Sequence, residues 1–335
     1  MDRAVEKRLI SDVPLGAFLS GGIDSTIVVG LMSRFMDEPV RTFSIGMADD
    51  PKYDETAFAE LASEKFVTDH TVFTVEAQEL DLLDHLLTAY DEPFGDSSAL
   101  PTYIVSRLTK NEVTVALTGD GGDELFAGYP RFLGMAISDR LPRWVALVGR
   151  AVGRRLPHNS DFRSSSRRFQ RFFAAAALPD HERLLKWIGF FPDSMDELLQ
   201  PQFRDLLTRD ELTASFREPL DRASHLSPLA RTLALNFETY LLDDLLVKAD
   251  RCSMAHGLEL RSPFLDTALM EFAASLPDRM RIRRGNLKYI LKNAFRDLLP
   301  APILKRGKMG FGIPLPTWFR THWRPMVEDR ILGSD

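Results

Sequence analysis

A short apolar run, Leu15-Gly16-Ala17-Phe18-Leu19, turns at once through Ser20-Gly21-Gly22 into a stretch from Ile23 to Phe35. In that stretch Ile27, Val28, Leu31, Met32 and Phe35 recur at helical spacing. A buried strand that turns on two glycines straight into a helix opens a βαβ unit, which commits the chain to a parallel sheet with its ligand site at the strand ends. The alternation continues. Val40-Arg41-Thr42-Phe43-Ser44-Ile45 reads as a second strand, Glu55 to Phe66 as a helix and His70-Thr71-Val72-Phe73-Thr74-Val75 as a third strand. Leu80 to Tyr90 and Ala99 to Lys110 read as helices, and Val113-Thr114-Val115-Ala116-Leu117-Thr118 as a fourth strand that stops at Gly119.

From about Phe126 onward the pattern predicts no strand. Leu229 to Val247, Thr267 to Leu276 and Leu287 to Leu299 carry helical periodicity, and the aromatics of Phe172 to Leu178 and His181 to Phe191 read as helical core. The arginine-rich stretch between Arg131 and Arg183, with Arg154-Arg155, Arg163, Arg167-Arg168 and Arg171, reads as a solvated surface rather than a nucleic-acid patch. The chain as a whole is acidic, with 42 basic and 48 acidic side chains and a net charge of −6. A single cysteine, Cys252, excludes an intrachain disulfide and a cysteine-rich zinc site. No apolar run is long enough to span a membrane, and the opening Met1-Asp2-Arg3-Ala4-Val5-Glu6-Lys7-Arg8 lacks a signal peptide's apolar core. These features predict a cytoplasmic protein with no nucleic-acid and no membrane partner.

Ser20-Gly21-Gly22-Ile23-Asp24-Ser25-Thr26 has the composition of an anion-binding turn. The glycines let backbone N–H groups face an anion, the helix adds its N-terminal dipole, and three hydroxyls add donors. No Gly-Lys-Ser/Thr follows, so this is not a Walker loop, and the Gly-x-Gly-x-x-Gly spacing of a dinucleotide fingerprint is absent. Asp24 fits beside a phosphate only with a divalent cation between them; the alternative is a tight turn with Asp24 as helix cap. Thr118-Gly119-Asp120-Gly121-Gly122-Asp123-Glu124 follows the fourth strand and so emerges at the same edge of the sheet. Asp24 and Asp123 are a candidate pair for one Mg²⁺, which leaves Asp120 for proton or amine chemistry. The spacing does not match an EF-hand.

These residues resemble a known family. The Ser20–Ser25 turn is similar to that of the ATP pyrophosphatases, which split ATP into AMP and pyrophosphate while adenylating a substrate. Within them, Thr118-Gly119-Asp120-Gly121-Gly122-Asp123-Glu124-Leu125-Phe126-Ala127-Gly128-Tyr129 resembles the asparagine synthetases. So do Asp91-Glu92-Pro93-Phe94-Gly95-Asp96-Ser97-Ser98, Lys248-Ala249-Asp250-Arg251-Cys252-Ser253-Met254, Arg261-Ser262-Pro263-Phe264-Leu265-Asp266 and Arg306-Gly307-Lys308-Met309-Gly310-Phe311-Gly312-Ile313-Pro314. The resemblance implies an α/β parallel-sheet nucleotide-binding core of the ATP-pyrophosphatase (adenine nucleotide alpha hydrolase-like) type over residues 1–130. A mainly helical part over 131–335 follows, carrying the Lys308 loop. It further implies an asparagine synthase (glutamine-hydrolysing) type ligase, of which only the synthetase half is present.

The implied chemistry is attack of aspartate's side-chain carboxylate on the α-phosphorus of ATP, then displacement of AMP by ammonia. Carried over residue by residue, Leu19, Ile45, Thr118 and Gly119 would line the nucleotide. Ser20, Gly21, Gly22, Asp24 and Ser25 would hold pyrophosphate, with Asp24 and Asp123 on Mg²⁺. Asp120 falls where many relatives carry Glu, at the position that handles the intermediate. Lys308 would be the cation that stabilises charge on the transferring phosphate, set among glycines that let its loop close. Ser97 and Ser98 would touch pyrophosphate or aspartate, or else cap the helix at Ala99. Asp244, Lys248 and Arg251 fall on one helix face, facing the cleft or forming a salt-bridged stripe. His70 and His256 receive no role, and Cys252 reads as a packing residue.

Glutamine-dependent asparagine synthetases resemble the chain only over their C-terminal half. The glutaminase domain that makes their ammonia is missing from this chain, and the phosphate turn comes as early as Ser20. The expectation is therefore an excised synthetase domain, or a protein whose ammonia comes from a separate subunit, with a homodimer possible. Other readings are a related amidotransferase or cyclase acting on another carboxylate, or an inactive ATP-binding module. Asp120, where β-lactam synthetases have tyrosine, favours the asparagine reading. The pI near 5.7 and the absence of a cysteine pair disfavour a tRNA-thiolating enzyme.

Overall fold

The computed structural model describes residues 1–47, 53–75, 82–157, 164–189, 195–204, 211, 213–310 and 312–333. Residues 80–81, Arg163, 190–191 and Phe311, which figure in the expectations above, lie outside the described residues. Strands β1 (Leu15–Phe18), β2 (Arg41–Met47), β3 (Asp69–Val75), β4 (Val115–Leu117) and β5 (Glu259–Arg261) form one sheet in the order β3-β2-β1-β4-β5. Every pairing is parallel. Four strands lie where the alternation places them. β5 corrects the expectation of no strand beyond residue 126: it is three residues long, Glu-Leu-Arg, and too short to show a period.

The sheet sits inside the first part of the molecule. Every residue of β2 after Arg41 is buried, as expected of a parallel strand covered on both faces. The helix α1 (Asp2–Glu6) precedes β1, and between the strands lie α2 (Ile23–Phe35), α3 (Thr56–Phe66), α4 (Leu82–Tyr90), α5 (Ala99–Lys110) and, after β4, the short α6 (Gly122–Phe126). In α2 the run Ser25–Met32 is buried without a break, so this helix is enclosed on all sides and not merely amphipathic. Its Gly30 lies where a Cβ would come within 2.6 Å of the Phe66 ring of α3, which explains how two helices approach so closely there. Ile45, Met47, Val75, Ile104 and Cys252 belong to one core cluster with Trp318 and Trp323.

Two compact units emerge from the contacts. The first comprises Met1–Leu125, Leu242–Ser275 and Ile290–Asp335; the second comprises Phe126–Leu241 and Leu276–Tyr289. The sequence divides by pattern near residue 130, whereas these packing units cross that point because β5 and the chain after Ile290 return to the sheet. The second unit is helical, with clusters built on Ala127, Phe132, Leu229 and Leu233 and on Leu184, Leu220 and Leu235. The helix expected over Leu229–Val247 is an α-helix only over Pro228–Asn236. It continues as a π-helix over Phe237–Leu246 and resumes as an α-helix over Val247–Met254. No described helix is long and apolar enough to cross a membrane.

Candidate active site

Sheet order places the site. From β1 the chain goes to β2 and β3 on one side, then crosses back to lay β4 on the other, so the carboxyl ends of β1 and β4 flank a topological switch point. The register pairs Leu15, Gly16 and Ala17 with Val115, Ala116 and Leu117. Carried forward, it brings the Ser20 turn level with Asp120.

The turn is held by its own hydroxyls and by close packing. Ser20 Oγ lies 3.1 Å from Ser25 Oγ and accepts from the Gly22 N–H at 3.3 Å, while Ser25 Oγ donates to the Gly22 carbonyl at 3.3 Å. Gly21 has φ +64°, in the left-handed region, and a Cβ there would overlap the Phe58 backbone of α3 at 2.4 Å. Across the switch point Gly119 and Gly122 admit Asp24. A Cβ on Gly119 would lie 2.8 Å from Ser25 N, and one on Gly122 would lie 2.5 Å from Asp24 Oδ1. The two glycine turns therefore dovetail around the Asp24 side chain.

Lys308 closes this arrangement from far along the chain. Its ammonium lies 2.6 Å from Asp123 Oδ2. Burial works against its charge, but the carboxylates of Asp123, Asp24 and Glu124 outweigh that and raise its pKa above the ordinary lysine value. Two residues earlier, Arg306 Nη1 donates to the Gly21 carbonyl at 2.9 Å, forms an ion pair with Glu55, and stacks 4.2 Å over the Phe58 ring. In a planar trans peptide the carbonyl and the next N–H point in opposite directions. Arg306 therefore keeps the Gly22 N–H turned toward the serine hydroxyls. The sequence carries a signal for this in Arg306-Gly307-Lys308, but not for its partner Glu55.

Asp120 is folded back on its own strand end: Thr118 Oγ1 donates to Asp120 Oδ2 at 2.8 Å and lies 3.0 Å from Ser262 Oγ. Leu19 is fully buried, Ile45 and Thr118 nearly so, so these residues offer mainly backbone and a floor. Ser98 belongs to a second cluster. Lys248 Nζ donates to Asp96 Oδ2 at 2.6 Å and to Ser98 Oγ at 2.7 Å, and Ser98 donates its N–H and hydroxyl to Asp96. Ser97 is exposed. Lys248 thus reaches across to Asp96, a pairing the helix-face reading left open. Burial would raise the Asp96 pKa, but Lys248 and the Ser98 donors hold it below the usual aspartate range.

Such a depressed carboxylate stabilises the fold above the ordinary aspartate pKa, and the contribution is lost as pH falls through the depressed value. Lys248→Met is expected to cost roughly 3 kcal/mol at neutral pH, because it strands a mostly buried charge. The cost should shrink in acid as Asp96 protonates in both proteins, which urea titrations at two pH values measure. The thiol of Cys252 is pushed up to about 11, chiefly by burial, and donates to the Ala99 carbonyl at 3.3 Å; it is a packing residue. Burial lowers the pKa of His70 and His256, the former between Thr42 and Ser44 hydroxyls.

Asp24 and Asp123 are hard oxygen donors that both act on the Lys308 ammonium, and among the described residues no group of three or more acidic, His or Cys side chains could by itself hold a metal ion. That donor set fits Mg²⁺, which is commonly held by one or two carboxylates with substrate phosphates supplying the rest. Gly122→Ala tests the dovetail. The added methyl would come within 2.6 Å of Asp24 Cγ and 3.1 Å of its Cβ, so the whole Asp24 side chain must shift. The calorimetric Kd for Mg·ATP should rise about tenfold or more.

A switch-point crevice between two glycine turns, lined by carboxylates and a lysine, is what an α/β nucleotide-binding protein presents. The chain belongs to the asparagine synthase family, whose profile matches residues 1–334. It is 28% identical over 99% of its length to asparagine synthetase [glutamine-hydrolyzing] 1 of Bacillus subtilis. It is 32% identical over 96% of its length to a putative asparagine synthetase of Mycobacterium bovis, and 37% identical over 75% to putative asparagine synthetase 2 of Methanocaldococcus jannaschii. The chain spans about half the length of these curated relatives: 51%, 48% and 47%.

Proposed function

We propose that the chain is the synthetase part of an asparagine-forming ligase. It adenylates the side-chain carboxylate of aspartate to β-aspartyl-AMP, and ammonia then displaces AMP. The observation that carries this reading is the Lys308 ammonium lying on Asp123, in the field of Asp24 and beside the Ser20–Ser25 turn. In the first step a carboxylate oxygen bonds to the α-phosphorus, and the bond to the bridging oxygen breaks, releasing pyrophosphate with its electron pair. Ser20, Gly21, Gly22 and Ser25 would hold the departing phosphates at the N-terminus of α2. Lys308 would leave Asp123 to meet the growing charge on the phosphoryl oxygens. Mg²⁺, held by Asp24 and Asp123, would supply neutralising charge to the bound triphosphate.

In the second step ammonia attacks the acyl carbon, AMP leaves, and the surplus proton passes from nitrogen to Asp120. Leu19, Ile45, Thr118 and Gly119 would line the nucleotide. The relatives are named as glutamine-hydrolysing and are about twice as long. Ammonia from glutamine would accordingly need a glutaminase domain or partner, with the reaction set in the cytoplasm.

The test is aspartate-dependent exchange of labelled pyrophosphate into ATP with Mg²⁺, followed by ammonia and amino-acid analysis. Exchange with asparagine formed supports the reading. Exchange driven only by another carboxylate moves the substrate, and ATP binding without any exchange removes the adenylation. Asp120→Asn should lower the asparagine yield at least as much as it lowers exchange; an unchanged yield removes Asp120 from the second step.

A further inference from the structure

The helix Arg143–Arg155 of the second unit is built inside out. Its inward face is small: Ala146, Gly149 and Gly153 are buried, and a Cβ on Gly149 would sit 2.1 Å from the Phe173 ring of the neighbouring helix Ser165–Ala175. Its outward face carries the bulk. Trp144 is 69% exposed, Val148 55%, Leu147 49% and Val152 47%. At 3.6 residues per turn these four fall in one sector opposite Ala146, Gly149 and Gly153. Single exposed apolar residues are ordinary, but a contiguous stripe headed by tryptophan marks a contact surface.

Charge identifies what covers it. Between residues 140 and 171 the sequence has nine arginines, no lysine and one acidic residue, in a chain that is acidic overall. Among the described residues, Arg140, Arg143, Arg150, Arg154 and Arg155 form no ion pair. A second copy docked through the same face would set arginine against arginine, so a two-fold dimer through this helix is disfavoured. Exposed Trp, Leu and Val along one sector, with arginines at its flank and end and no acidic residue in the helix, is the pattern of a helix lying in the plane of an anionic bilayer surface.

We infer that the helix Arg143–Arg155 docks on an anionic lipid surface. Trp144, Leu147, Val148 and Val152 enter the boundary between headgroups and acyl chains, and Arg143, Arg150, Arg154 and Arg155 meet lipid phosphates. This is surface attachment without a spanning segment. It stands apart from the ligase reading, since none of these residues belongs to the candidate active site.

The experiment is co-sedimentation of the full 335-residue chain with vesicles of phosphatidylcholine alone or mixed with phosphatidylglycerol. Wild type should pellet with the anionic vesicles, stay in solution with phosphatidylcholine alone, and dissociate as salt is raised. Trp144→Ser combined with Val148→Ser should weaken binding about tenfold or more, and Arg154→Glu with Arg155→Glu likewise, with Tm unchanged because all four side chains are exposed. Failure to pellet with anionic vesicles overturns the inference. So does wild-type binding by the Trp144/Val148 variant, which would reduce the effect to charge alone. A vesicle-indifferent protein whose dimer in size-exclusion chromatography is lost on Trp144→Ser would overturn it in favour of a second copy, and one that instead binds an acidic protein through this helix would overturn it in favour of that partner.

Discussion

Lys308→Ala should lower aspartate-dependent ATP–pyrophosphate exchange by about 10³-fold or more while leaving the protein folded. The ammonium lies on Asp123 and feels Asp24 and Glu124, and about a third of the side chain remains accessible, so truncating it leaves no large cavity. Removing a positioned cation from a phosphoryl-transfer site costs two to several orders of magnitude in rate. Lys308→Arg should recover part of the loss, because it restores charge but not reach. Wild-type exchange in the alanine variant would take Lys308 out of the chemistry. The raised pKa has a sign that can be checked. The ion pair is fully formed at and below the ordinary lysine pKa and is lost as pH rises through the raised value, so wild type should hold its Lys308-dependent activity well into the alkaline range.

Asp24→Asn is the second large effect. The amide keeps the size of the side chain, so the dovetail with Gly119 and Gly122 survives, but a full negative charge is gone from the field around Lys308. Exchange should fall roughly 10²-fold, and added Mg²⁺ should restore little of it, because an amide is a weak ligand for a hard cation. The same substitution removes one of the carboxylates that raise the Lys308 pKa, so any residual activity should fail at lower pH than in wild type. A variant with unchanged Mg²⁺ dependence and an unchanged alkaline limb would separate Asp24 from both the metal and the lysine.

The sequence was most informative where apolar runs and helical repeats alternate. The strand–turn–helix order from Leu15 to Phe35 and the strands β1 to β4 follow from alternation, whereas Ser20-Gly21-Gly22-Ile23-Asp24-Ser25 by itself suits a helix cap as well as an anion turn. Lys308 was legible only through resemblance, since nothing local ties a lysine among glycines to Asp123. β5 gave no signal because three residues cannot show a period. Helical spacing left Asp244, Lys248 and Arg251 either facing the cleft or forming a salt-bridged stripe, and the partner Lys248 takes, Asp96, lies 152 positions away. The Arg143–Arg155 helix is the reverse case: its arginines read from the sequence only as a solvated surface, which does not say that a glycine side faces inward. The Phe173 ring against Gly149 decides it.

The bond from Arg306 to the Gly21 carbonyl joins positions 285 apart. During synthesis the phosphate turn emerges well before its clamp and its lysine, which come only after the whole second unit has been made. Most residues of the second unit lie in the continuous run 126–241, whereas β4 waits with an open edge until residue 259 supplies β5. High contact order of this kind slows folding and prolongs the life of an exposed strand. A ribosome paused between residues 130 and 258 would thus hold a nascent chain at its most aggregation-prone, and that interval is where a chaperone would matter most.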